Sequence, residues 1–76
     1  MSKPTGVFEP EFSLEEIGRQ SYQHLASTLG ALDRQFERYS KGLIDRAKWT
    51  DCERANAYRA PISMELRQRE LSGMRP

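Results

Sequence analysis

The feature that most constrains this chain is a run of apolar residues spaced alternately three and four positions apart. Such spacing places the residues on one face of an α-helix, because a helix turns once in about 3.6 residues. It predicts a long helix, from about Leu14 to Lys41, that packs along its whole length. The predicted packed face consists of Tyr22, Leu25, Leu29, Leu32, Phe36, Tyr39 and Leu43.

The stretch FSLEE marks the expected start of this helix. Ser13 is a suitable N-cap, and Glu16 stands three residues later, as a capping box requires. Phe12 and Ile17 are placed to form the hydrophobic staple that often accompanies such a cap. Residues 1–12 contain three helix-breaking residues and no apolar periodicity. We therefore expect a flexible N-terminal arm ahead of the folded domain.

The stretch RYSKGLIDRAKW interrupts the periodicity and predicts a short turn. Gly42 is placed to take the left-handed conformation that ends many helices, with Leu43 making the accompanying contact. Asp45 is placed to cap a second helix, which we expect from Arg46 to about Ser72. Helices joined by so short a turn usually pack antiparallel, which predicts a helical hairpin. A DNA-binding helix-turn-helix is disfavoured, because basic residues occupy the positions that this motif keeps small or apolar.

Pro61 falls inside the second predicted helix. An interior proline removes a hydrogen bond and costs about 3 kcal/mol, so we predict a kink or a short third helix near it. The expected fold class is all-α, with residues 13–72 as a helical hairpin domain and residues 73–76 as a C-terminal tail. A core of this size rarely contributes more than about 3–5 kcal/mol, which favours dimerisation into a helical bundle.

The sequence indicates neither catalysis nor a cofactor. It contains no phosphate-binding glycine loop, no zinc-protease motif and no nucleophile elbow. His24 is the only histidine and Cys52 the only cysteine, which is too few for a four-ligand zinc site. We predict a non-enzymatic protein with no metal and no cofactor. The single cysteine and the absence of a long apolar run predict a cytoplasmic location.

Charge is unevenly distributed, since residues 1–40 carry a net charge of −2 and residues 41–76 a net charge of +3. Pairing of Glu15 and Glu16 with Arg67 and Arg69 across the hairpin is one explanation. Nucleic-acid binding by a helical-hairpin dimer is the other, and is the alternative function. Acidic residues interrupt the basic ones along the second helix, which weakens that alternative. The cations concerned are Arg46, Lys48, Arg54, Arg59, Arg67 and Arg69.

The second predicted helix carries two apolar stripes, separated by about 150° around its axis. The first stripe, which we expect to face the first helix, is Cys52, Ala55, Ile62 and Leu66. The second stripe is Trp49, Ala57, Ala60, Met64 and Leu71.

We predict that the second stripe binds a protein partner, because Trp and Met are enriched in interface cores and Arg at their rims. A second copy of the chain, a foreign protein, or both in competition are possible occupants. Coverage of Trp49 by the N-terminal arm or by a third helix remains the alternative. The predicted function is that of a small adaptor, assembly factor or inhibitor, typical of phage or mobile-element accessory proteins. The predicted partner-binding residues are Trp49, Met64, Leu71, Arg46 and Arg67.

Overall fold

The computed structural model describes residues 7–73, which fold into three α-helices and two short 3₁₀ helices without any strand. The predicted all-α class is therefore confirmed. Helix α1 packs against both of the later helices. The α-helices are α1 (Tyr22–Ser40), α2 (Trp49–Asn56) and α3 (Arg59–Leu71), and the 3₁₀ helices are Leu14–Arg19 and Arg46–Lys48.

The first predicted helix is divided into two parts, so the prediction of one helix from Leu14 was wrong. Gln20 and Ser21 have extended backbone conformations, and α1 begins only at Tyr22. The Ser21 hydroxyl accepts a hydrogen bond from the His24 backbone N–H at 3.1 Å. Ser21 thus caps α1, because serine satisfies a helix N-terminus better than it fits a helix interior.

The cap predicted at Ser13 is present, but it begins the first 3₁₀ helix and not α1. The Glu16 carboxylate accepts a hydrogen bond from the Ser13 backbone N–H at 2.9 Å. Ile17 in the same turn is buried in the core. The short helix is therefore fixed locally at its start and by one apolar contact along its length.

Gly42 ends α1 as predicted, with a positive φ of 75°. The Gly42 N–H donates to the Tyr39 carbonyl at 3.0 Å, and the Leu43 N–H donates to the Arg38 carbonyl at 2.9 Å. This is the paired hydrogen bonding of a left-handed helix C-cap, which satisfies carbonyls that the helix itself leaves free.

Two glycine substitutions should therefore change stability in opposite directions. Gly42→Ala should lower the free energy of unfolding by about 1–2 kcal/mol, because an L-residue resists positive φ. Gly30→Ala should raise it by about 0.5–1 kcal/mol, since Gly30 lies inside α1. Its added Cβ would meet only the Arg34 side chain, at 3.7 Å. Urea denaturation followed by circular dichroism measures both, and two changes of the same sign would contradict this account of the turn.

The second predicted helix begins where expected and is interrupted. The Asp45 side chain accepts a hydrogen bond from the Ala47 N–H at 3.2 Å, and the 3₁₀ helix that follows continues into α2. Helix α2 ends at Asn56 and α3 begins at Arg59, so the predicted third helix is present. Pro61 is the third residue of α3. At that position a backbone N–H has no helical partner, so proline is tolerated there.

The core lies between α1, the later helices and the N-terminal segment. The first stripe predicted for the second helix is confirmed, because all four of its residues are buried. The buried apolar side chains are Phe12, Ile17, Leu25, Leu32, Cys52, Ala55, Ile62 and Leu66.

The packed face predicted for α1 is displaced by one residue at two places. Thr28 and Gln35 are buried, whereas their neighbour Leu29 is half-buried and their neighbour Phe36 is exposed, respectively. Leu43, the last residue of the predicted face, is 65% exposed. The displacement arises because residues 7–12 pack on the side of α1 that carries Gln35.

The part of the predicted arm that the structure describes, residues 7–12, has no helix or strand but packs against the helices. Phe12 is 6% exposed, and its ring lies 5.5 Å from that of His24. Gln35 Oε1 accepts from the Phe8 N–H at 2.7 Å, and Gln35 Nε2 donates to the Phe8 carbonyl at 3.0 Å. Residues 1–6 and 74–76 lie outside the described residues.

Candidate interaction site

The structure divides the five predicted partner-binding residues between two regions. Arg46 and half-buried Trp49 lie together at the start of α2. Met64, Arg67 and Leu71 are exposed on α3, with Met64 at 61% and Leu71 at 81% exposure. The break between α2 and α3 lies between the two regions, so they belong to different helices.

The two regions lie towards opposite ends of α1. Trp49 contacts Tyr39 in the last turn of α1. Glu70, the neighbour of Leu71, accepts a hydrogen bond from the Tyr22 hydroxyl in the first turn. Tyr22 and Tyr39 are about 25 Å apart along the helix axis, at about 1.5 Å per residue. The residues around Trp49 must therefore be considered separately from Leu71.

Around Trp49 the structure assembles a row of three aromatic side chains with an arginine at each end, here called the aromatic–arginine cluster. The Arg46 guanidinium lies 5.2 Å from the centre of the Trp49 ring. Trp49 meets Tyr39 edge to face with ring centres 5.6 Å apart, and Tyr39 lies 6.4 Å from Phe36. The Arg59 guanidinium lies over Phe36 at 4.2 Å from the ring centre. The cluster therefore consists of Arg46, Trp49, Tyr39, Phe36 and Arg59.

Hydrogen bonds fix the orientation of three of the five cluster side chains. Trp49 Nε1 donates to the Ile44 carbonyl at 3.2 Å. The Tyr39 hydroxyl donates to Glu53 at 2.9 Å, and Arg59 Nε donates to Asp33 at 2.8 Å. Because these side chains are already ordered, little rotamer entropy remains to be lost when a ligand binds them.

The pKa values of two groups in this region indicate how they behave chemically. The hydrogen bond to Glu53, with a smaller effect of burial, raises the pKa of the Tyr39 phenol. Burial raises the pKa of the Cys52 thiol, aided by the nearby Asp51 carboxylate. A buried protonated thiol is a poor nucleophile, so Cys52 contributes packing to the core.

A shallow groove between α1 and α3 adjoins the cluster through Arg59. Its volume is about 350 Å³. The predicted partner-binding residues Met64 and Arg67 are not among the residues that line it. The groove is lined by Leu29, Asp33, Arg59, Ala60 and Ser63.

A second groove, of about 340 Å³, lies between residues 8–11 and α1. His24 Nε2 lies here, 3.6 Å from Glu11 Oε2. Buried Cys52 is not among the residues that line it. Over residues 7–73, no three His, Cys, Asp or Glu side chains are grouped so as to hold a metal ion. In the same range, no helix is long and apolar enough to cross a membrane.

Three cluster residues were not among those predicted to bind a partner. Phe36 and Tyr39 were assigned to the packed face of α1, and Arg59 was one of several cations in the second helix. The available signal was the pair of aromatic residues in the last turns of α1, close in sequence to the turn and to Trp49. No sequence pattern places the Arg59 guanidinium over Phe36, because that contact depends on where α3 begins.

Comparison with known proteins adds no assignment to this site. The chain matches no protein-family model, and neither a curated protein sequence nor a solved structure shows significant similarity to it. The function of the cluster must therefore be inferred from its geometry and charge.

Proposed function

We propose that this protein is a small non-enzymatic interaction module that works by occupying the surface of a partner protein. It serves as an adaptor, assembly factor or inhibitor in the cytoplasm. The observation that carries the proposal is the aromatic–arginine cluster. Trp, Tyr and Arg are the residues that contribute most binding energy at protein interfaces, and here all three types are adjacent and oriented in advance.

The groove beside the cluster supports the same interpretation. Small side chains, Ala60 and Ser63, line one wall, and half-buried Leu29 lines the other. Asp33 and Arg59 also line the groove, so it offers a partner segment charged as well as apolar contacts next to the cluster. Met64 is exposed elsewhere on α3 and offers a further adaptable apolar contact.

We also propose that the helices form an antiparallel hairpin that associates into a helical bundle. The support for the hairpin is that side-chain pairs link α1 to the later helices in reverse order along the chain. The pairs are Tyr39 with Glu53, Asp33 with Arg59, and Tyr22 with Glu70. The small size of the core favours association of two such units.

The observed ion pairs favour a protein partner over nucleic acid. Arg54 pairs with Glu9 and Asp51, both at 2.8 Å, and Arg59 pairs with Asp33 at 2.8 Å. Arg69 pairs with Glu65 at 2.8 Å and donates to the Gly18 carbonyl, so the pairing predicted with Glu15 or Glu16 was wrong. Half of the six cations of the second predicted helix are thus neutralised within the chain. Nucleic-acid binding would require most of them to contact phosphates.

The proposal is tested by affinity capture with matched variants. Trp49→Ala and Phe36→Ala should each weaken partner binding at least about 30-fold, because central aromatic residues at interfaces contribute about 2 kcal/mol or more. Leu71→Ala removes a more exposed apolar side chain outside the cluster and should leave binding unchanged. Recovery of nucleic acid that is released by salt would favour the alternative function. Equal capture by all three variants would exclude the cluster as the binding site.

A further inference from the structure

Formal charge is concentrated around the two ends of α1. Residues 9–16, here called the acidic segment, precede the helix and contain four acidic and no basic residues. Residues 34–48, which include the end of α1 and the following turn, contain five basic and two acidic residues. The helix dipole does not explain the acidic segment, because the first turn of α1 has no acidic residue and the dipole acts only within that turn.

The acidic segment presents an apolar side chain between carboxylates. Leu14 is 48% exposed, although Ile17 in the same short helix is buried. Glu15 is exposed, and the Glu11 side chain is 81% exposed. Within the described residues Glu15 has no cationic partner, so its carboxylate is available to a ligand.

The aromatic–arginine cluster presents the complementary surface. Arg46 has no carboxylate partner within residues 7–73 and stacks only on Trp49. Phe36 is 36% exposed, and Leu43 in the turn before the cluster is 65% exposed. A cation beside apolar and aromatic surface is what a segment of leucine and glutamate residues would recognise.

Building on the interaction role proposed above, we propose that the aromatic–arginine cluster binds the acidic segment of a second copy of this chain. The two copies form a two-fold dimer with their α1 helices antiparallel. The cluster lies at one end of α1, and Leu14 and Glu15 of the acidic segment lie towards the other, where Arg69 donates to the Gly18 carbonyl and Tyr22 to Glu70. An antiparallel arrangement therefore makes the same contact twice and closes the assembly. The molecule measures 41 × 26 × 19 Å, so a long face is large enough to bury the roughly 800 Å² per partner typical of a stable interface.

Charge reversal with complementation tests the proposal, with mass measured by sedimentation equilibrium. Wild type should be dimeric, and its dissociation constant should rise with salt. Arg46→Glu and Glu15→Lys should each weaken the dimer at least about tenfold, because each change places like charges together at both contacts. An equimolar mixture of the two variants should recover the dimer, since every cluster then meets a segment of opposite charge. Gln68→Glu, an exposed charge change on α3, is the control and should leave the mass unchanged.

The outcomes separate this inference from the proposed function. A wild-type chain that stays monomeric at millimolar concentration overturns the inference, even if the cluster captures a foreign protein. A dimer that neither variant weakens, or a mixture of folded variants that stays monomeric, also overturns it. Recovery of the dimer on mixing supports the inference, whether or not a foreign partner is captured. Circular dichroism establishes that each variant is folded.

Discussion

Leu32→Ala should largely unfold this protein. Leu32 is fully buried in the middle of α1, and its contacts extend to the core side chains of the later helices. Truncating a buried leucine costs about 2–5 kcal/mol, from lost burial and from the cavity that remains. That loss is comparable with the whole stability expected of so small a domain. Urea denaturation followed by far-ultraviolet circular dichroism measures the change.

Leu43→Ala is the matched control for this substitution. Both leucines follow the same apolar spacing in the sequence, but Leu43 is 65% exposed in the turn after α1. Its truncation should change the free energy of unfolding by no more than about 0.5 kcal/mol. Similar losses at the two positions would mean that the packed face continues through the turn, contrary to the structure.

Gln35→Ala should release the N-terminal segment from α1. The buried Gln35 amide makes two hydrogen bonds to the backbone of Phe8, and Ala can make neither. We expect a loss of about 1–3 kcal/mol, because the backbone N–H and carbonyl of Phe8 would lose their partners. Hydrogen exchange should accelerate at residues 7–12 more than in α3. Gln68→Ala, at an exposed position of α3, is the control, and equal effects of the two changes would contradict a specific role for Gln35.

The sequence was informative wherever a few neighbouring residues determine the structure. Gly42 was predicted to end a helix with positive φ and Asp45 to cap the next one, and both residues do so in the structure. The stripe that contains Ile62 and Leu66 is buried as predicted, because an amphipathic pattern reports directly on which side avoids water.

Features that depend on distant residues could not be predicted in the same way. Burial of Gln35 follows from its bonds to Phe8, which is 27 positions away in the sequence. Nothing in the neighbouring sequence indicates that Gln35, and not the adjacent Phe36, will be buried. The break between α2 and α3 likewise depends on packing against α1, and Pro61 indicates its position only within a few residues.

The hydrogen bonds that attach the N-terminal segment restrict the amino acid at position 35 much more than the amino acid at position 8. Both hydrogen bonds from Gln35 go to the backbone of residue 8, so they do not depend on which side chain residue 8 carries. Any residue except proline supplies the same N–H and carbonyl. Position 35, in contrast, requires a side chain that both donates and accepts at the correct reach. Sequence variation can therefore accumulate at position 8 without loosening the segment, whereas position 35 has almost no acceptable substitute.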